Sequence, residues 1–235
     1  ALGNEFYENT GSTEFLTSRW YLALDTLLNT TDAQSQPTFN SNHQYVQNQY
    51  TFQRQTTLGT ETLNLAGIGN PLNGGTGLIR SAFRPSDDAT ILGFFIPANA
   101  MMSVQLKKTA DLIRAAGGDS ALASNLQTRG ENLEQAVRQH GIFNHEKYGE
   151  VYAFEVDGYG SRIFMDDANI PSLLALPYLG FVDKSDQVYQ NTRKMILDPN
   201  GNPYYLTGSD FHGIGGPHSK QCPRTPRTLR TKISN

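Results

Sequence analysis

A mainly α-helical domain is the fold class this sequence predicts, and three observations predict it. Apolar residues recur at helical spacing in four separate stretches, 14–28, 89–116, 120–140 and 183–197. Only residues 150–157, EVYAFEVD, alternate as a strand or extended segment would. The polar clusters sit in loops that run into helix-like stretches, so helices packed side by side would gather those loops into one shared cleft.

Each element follows from its own residues. In 14–28, Phe15, Trp20, Leu24 and Leu27 share one face, and Ser12 or Thr13 can cap the start. Residues 29–77 are rich in Asn, Gln, Thr and Gly. The run LNLAGIGNPLNGGTG inside them reads as a long loop with short extended pieces, the kind of loop that often carries function. Residues 89–116 form the strongest helical pattern, with Ile91, Phe94, Phe95, Ala98, Met102, Leu106 and Ile113 in step. Pro97 divides that helix and Gly117-Gly118 ends it. In 120–140, Leu122, Leu126, Leu133 and Val137 face inward and Gly141 is the stop. GYGSR makes a turn, and 171–178 starts helix-like with Pro171 in its first turn. The helix over 183–197 ends at PNGNP, and GSDFHGIGGPH is a glycine-rich loop.

Composition narrows the class. A chain of 235 residues fits one domain or a large part of one. With 37% hydrophobic and 17% charged residues it is globular rather than disordered. No apolar run approaches the roughly 18 residues of a membrane span. A net charge of -3 argues against a nucleic-acid surface. The charge is uneven: residues 219–235 carry five Lys or Arg and no acid. The single cysteine, Cys222, excludes an internal disulfide and, beside Pro223 in that basic tail, makes a poor nucleophile. ALGNEFYENT shows no signal-peptide pattern, whereas Asn29-Thr30-Thr31 is a glycosylation triplet that pulls weakly toward a secretory route.

The chemistry concentrates in acidic pairs. In FRPSDDATILGFFIPANA, Ser86 is placed to cap a helix, with Asp87 and Asp88 in its first turn. Acids there are favourable by about 0.3–1 kcal/mol, which is the plain reading. The functional reading is that one of the two faces a cleft as an acid or a sugar ligand, because adjacent carboxylates repel and one holds its proton. FMDDANIPSLLALPYLG repeats the arrangement with Asp166, Asp167 and Asn169, and Asp157 lies just upstream. Capping and turn-making again compete with a ligand role, and the acid spacing of a calcium-binding EF-hand is absent. His212 and His218 lie six apart, but a zinc site needs a third ligand. There is no nucleophile elbow, zinc-protease motif, phosphate-binding loop or dinucleotide fingerprint. What remains is carboxylate chemistry among polar and aromatic neighbours, which suits carbohydrates.

Five blocks in order, SAFRPSDDATILGFFIPANAM, YAFEVDGYG, FMDDANIPSLLALPYLG, NPYYLTG and HGIGGPH, resemble family 125 of the glycoside hydrolases, the exo-α-1,6-mannosidases. The resemblance implies an (α/α)6 barrel with its active site in loops at one end of the toroid. It implies removal of terminal α-1,6-linked mannose with inversion, from a mannose-containing oligosaccharide or N-glycan, without metal or cofactor. It puts the general acid at Asp87 or Asp88, and has Arg84, Ser86, Asp157, Asp166, Asp167, Asn169 and His218 line the sugar site. The family's Met-His-Glu block, which holds its general base, and its Trp-Leu-Arg-Asp-Ser run have no counterpart here. The expectation is therefore an incomplete barrel over 1–218 with an atypical basic tail over 219–235. Two alternatives stand beside it: a fragment that binds sugar weakly without turnover, and a different enzyme, such as an epimerase, on a similar helical toroid.

Overall fold

The structure, a computed structural model, describes residues 1–47, 50–207, 210 and 212–217. His218 and the basic tail lie outside the described residues. No helix among those described is long and apolar enough to cross a membrane.

Helix α1 spans Leu2–Thr10 and ends at Gly11, whose left-handed φ of 69° lets its N–H reach the Tyr7 carbonyl. Periodicity gave no sign of it, because α1 docks through a polar side chain. Asn4 is buried and donates to Gln105 Oε1 at 2.8 Å and Thr109 Oγ1 at 3.2 Å. Helix α2, Ser18–Gln34, starts and ends later than 14–28, and its cap is Thr17, not Ser12 or Thr13. The expected apolar face is only partly covered, with Leu27 at 41% exposure. The loop that follows contains a 3-10 turn, Gly59–Glu61, and a single helical turn, α3, Asn64–Gly67.

The expected helix over 89–116 splits differently. Phe94–Phe95 form strand β1, and helix α4 begins only at Ile96 and runs to Ala115. Pro97 does not divide the helix. It lies in the first turn, where its missing N–H would have had no partner anyway. Ile91, expected to face inward, is 54% exposed. Helix α5, Ser120–Gly141, is capped by Asp119, which accepts from Ala121 N at 2.7 Å and Leu122 N at 3.2 Å. The two form a helical hairpin. A Cβ at Gly130 would stand 2.8 Å from the Ser103 carbonyl, so only glycine permits the close approach.

Residues 150–157 extend as expected but contribute to two sheets. Strands β2, Ile142–His145, and β3, Gly149–Tyr152, make an antiparallel hairpin. Strand β4, Glu155–Val156, pairs with β1 on one side and with β5, Arg162–Ile163, on the other. Helix α6 spans Gln187–Ile196. Strand β6, Tyr205–Thr207, pairs with β7, His212–Ile214, which lies in what read as a glycine-rich loop. The core joins Phe94, Phe95 and Ile96 to Leu126 and Val137 of α5, Phe154, and Leu173 and Leu176. Each such side chain contributes about 1.5–3 kcal/mol when fully buried.

Residues 171–178 are a run of turns, not a helix. Asp166 organises them: its Oδ1 accepts from Leu173 N and its Oδ2 from Leu174 N, both at 2.9 Å. Burial pushes this carboxyl up to about 7 against the pull of those amides, and the Asp167 charge adds to the rise. A carboxyl whose folded pKa exceeds its unfolded value of about 3.9 lends stability in full below that pH and loses it as pH rises toward 7. Urea unfolding across that window should therefore show a fall in stability that is smaller in Asp166→Asn, whose amide cannot ionise. Equal slopes in the two proteins would contradict it. Tyr152 is fully buried with no hydrogen-bond partner for its hydroxyl among the described residues. Tyr152→Phe should raise the unfolding free energy by about 1 kcal/mol, and a loss of that size would show that the hydroxyl is satisfied.

Candidate functional site

The site begins with a tight turn. Phe83 and Ala89 form an isolated antiparallel bridge, Arg84 N donates to the Asp88 carbonyl at 2.8 Å, and Asp87 N donates to the Arg84 carbonyl at 3.1 Å. Asp87 occupies the left-handed region at φ 67°, where Asp is among the residues best tolerated. No helix starts here, so the expectation that Ser86 caps one, with both acids in its first turn, is overturned. The aromatic pair Phe94–Phe95 is drawn into the sheet and the helix starts after it. The turn sends the adjacent carboxylates to different environments: Asp87 is exposed and Asp88 is fully buried.

The second acidic pair lies against this turn. Ser86 Oγ donates to Asp167 Oδ2 at 3.1 Å, joining the two sequence blocks. Asp167 is buried, and its Oδ1 accepts from Asn169 N at 3.0 Å. Here too a turn replaces the expected helix start. Ala168 N donates to the Gly215 carbonyl at 3.1 Å, and Gly215 N to the Tyr204 carbonyl at 2.8 Å. These bonds tie the glycine-rich segment to the Asp167 turn. Asn169 is exposed at its edge.

Beneath both turns lies a buried ion pair. Arg84 Nε donates to Glu155 Oε1 at 2.6 Å, and the guanidinium lies over the Phe154 ring at 5.4 Å. Tyr204 meets the same group. Burial raises its phenol, Arg84 lowers it through charge and a hydrogen bond, and Asp88 and Asp167 raise it. Arg84, Asp88, Asp167 and Tyr204 therefore share one electrostatic environment. Glu155 and Tyr204 were not singled out from sequence. A lone charge inside the apolar run VYAFEV could have flagged Glu155, whereas nothing local separates Tyr204 from Tyr205.

The other expected residues divide. Asp157 Oδ1 accepts from Tyr159 N at 2.8 Å and Ser161 N at 3.0 Å, which shapes its own hairpin turn. Asp166 holds the backbone of 173–174. His212 stacks on Tyr205, ring centroids 6.4 Å apart.

Two hollows open on this cluster. One, of about 310 Å³, is lined by polar groups of Thr60, Thr62, Asn70, Thr90 and Tyr204 together with Arg84. The other, of about 660 Å³, is lined by Asp167, Ser172, Tyr178, Tyr205 and His212 among others. Both fall in the range of about 300–1,000 Å³ usual for small-molecule sites. Neither Asp88 nor Asp157 is among the residues lining these two hollows. Among the described residues, no group of three or more His, Cys, Asp or Glu is arranged to hold a metal ion. The arrangement can accept hydrogen bonds from hydroxyl groups and donate them from Arg84, Ser86 and Tyr204.

Comparison with known proteins agrees with this chemistry. The family model described as metal-independent alpha-mannosidase (GH125) matches residues 1–229. The meiotically up-regulated gene 157 protein of Schizosaccharomyces pombe is 50% identical over 218 residues, covering 92% of this chain and 43% of that protein. A solved Streptococcus pneumoniae metal-independent alpha mannosidase, in a non-productive substrate complex with alpha-1,6-mannobiose, aligns with a TM-score of 0.83 and 32% identity. That alignment covers 92% of this chain and 49% of the solved chain. The chain thus spans about half the length of these relatives. It belongs to family 125 of the glycoside hydrolases, the metal-independent α-mannosidases.

Proposed function

We propose that this chain carries the acid side of an exo-α-1,6-mannosidase, acting on the non-reducing end of mannose-containing oligosaccharides or N-glycans with inversion. Asp88 is the general acid. The observation that carries the assignment is its full burial, in the cluster shared with Arg84, Tyr204 and Asp167, while Asp87 is exposed. A proton donor works best in a site that excludes water, where its proton goes to the glycosidic oxygen rather than to solvent. Arg84, Ser86, Asp167 and Asn169 hold or orient sugar hydroxyls, and His218 joins them from the family pattern. Asp166 contributes by fixing the backbone on which Asp167 sits. On this reading residues 1–218 form part of an (α/α)6 barrel.

Inversion needs a second carboxylate, about 6.5–9.5 Å from the acid, to deprotonate the attacking water. The family resemblance assigns that role to a glutamate in a block this sequence lacks. A second reading follows from that absence: the chain alone binds mannosides without turnover. One experiment separates the two. Proton NMR of the purified chain with α-1,6-mannobiose reports bound ligand, released mannose and the anomer first formed.

Release of β-mannose supports the hydrolase, and binding without release supports the second reading. Cleavage of α-1,2-mannobiose with α-1,6-mannobiose untouched would overturn the linkage assignment. Asp88→Asn should lower kcat by about 10²–10⁴-fold, with Asp87→Asn close to wild type. The reverse ranking would move the acid to Asp87.

A further inference from the structure

Glu155 stands where a charge is hardest to keep. It is fully buried in β4, between Phe154 and Val156, in a sheet whose ladder its backbone already serves through pairing with Phe95. A buried carboxylate costs several kcal/mol unless it is paired and its lone pairs are used. Both of its oxygens are used. Oε1 accepts from Arg84 Nε at 2.6 Å, while Oε2 accepts from Ile91 N at 2.9 Å and Leu92 N at 3.0 Å. These donors bracket the Asp88 turn, with Arg84 immediately before it and residues 91–92 immediately after. One side chain thus ties both ends of the acid-bearing loop to the central strand.

We propose that Glu155 is a positioning residue for the acid: it fixes the loop that carries Asp88 at both ends. This rests on Asp88 being the general acid. The Arg84 guanidinium is paired with Glu155, and Arg84, Asp88 and Asp167 all act on the Tyr204 phenol. The carboxylate of Glu155 neutralises Arg84. Without it the loop over 84–92 loses its tie to β4, and the acid between the two ends is held less firmly.

The test is Glu155→Gln in the full chain. Glutamine keeps the shape but has one oxygen, so either Arg84 or the 91–92 amides meet an N–H instead of an acceptor. Expected is a fall in kcat of about 10²-fold, the size of a small misplacement, with KM little changed. A Glu134→Gln control, whose partners are Lys107 and Arg138, should leave kcat unchanged. One readout needs no turnover: amide exchange at Ile91 and Leu92 should quicken while α5 is unchanged.

Wild-type exchange at Ile91 and Leu92 would overturn the inference, whether or not the chain hydrolyses mannobiose. Faster exchange in a chain that neither binds nor cleaves mannobiose would instead uphold the positioning role and sink the proposed function. If Glu155→Gln fails to fold, Arg84→Lys approaches from the other side. It keeps the cation but loses the Nε donor, so faster exchange at 91–92 supports the tie and wild-type exchange refutes it.

Discussion

Taking an arginine and a glutamate out of water together is unfavourable unless every donor and lone pair finds a partner. Arg84 and Glu155 meet that condition by recruiting the protein around them. The guanidinium has the Glu155 carboxylate, Tyr204 and the Phe154 ring face. The carboxylate has the guanidinium and two backbone amides. Satisfying this one pair therefore constrains the loop over 84–92, strand β4 and the segment carrying Tyr204 simultaneously. The rest of the site is arranged upon it.

Turns, not helix ends, then deliver the acids. A helix N-terminus would have favoured the ionised form of any carboxylate at its first turn. That is the wrong bias for a proton donor. The tight turn over 84–88 removes the bias and separates neighbouring acids by conformation alone, one exposed and one buried. The 166–169 turn works differently. Asp166 accepts two amides and holds backbone, which leaves Asp167 to reach across to Ser86. In each pair one member serves architecture or solvent and its neighbour faces the cluster.

The legible parts of the fold were those in which apolar period and burial coincide. Helices α4, α5 and α6 have that property, and so does the extended stretch that becomes β3 and β4. Helix α1 was invisible because it docks through Asn4, and the apolar run around Phe94 was misread because a short buried strand and a helix segment look alike in period. In the site, Asp87, Asp88, Asp166 and Asp167 stood out as acids, and their gathering was foreseeable from two similar blocks. Their assignment to turns was not, since it depends on where a distant strand captures Phe94 and Phe95. Asp157, placed in the sugar site by the resemblance, accepts the amides of its own hairpin turn on Oδ1.

Glu155 was overlooked for the converse reason: its immediate neighbours in the sequence are apolar. Polar clusters on loops report what can meet a ligand, but a charge surrounded by Tyr, Ala, Phe and Val reports what must be held still. Desolvation makes such a group intolerant of any arrangement but the one that satisfies it. A loop tied to it inherits that intolerance, and rigidity is what an acid needs to meet a glycosidic oxygen in line. On the proposed function, the buried ion pair and the sugar chemistry are thus two ends of one constraint, with the turn at Asp88 between them.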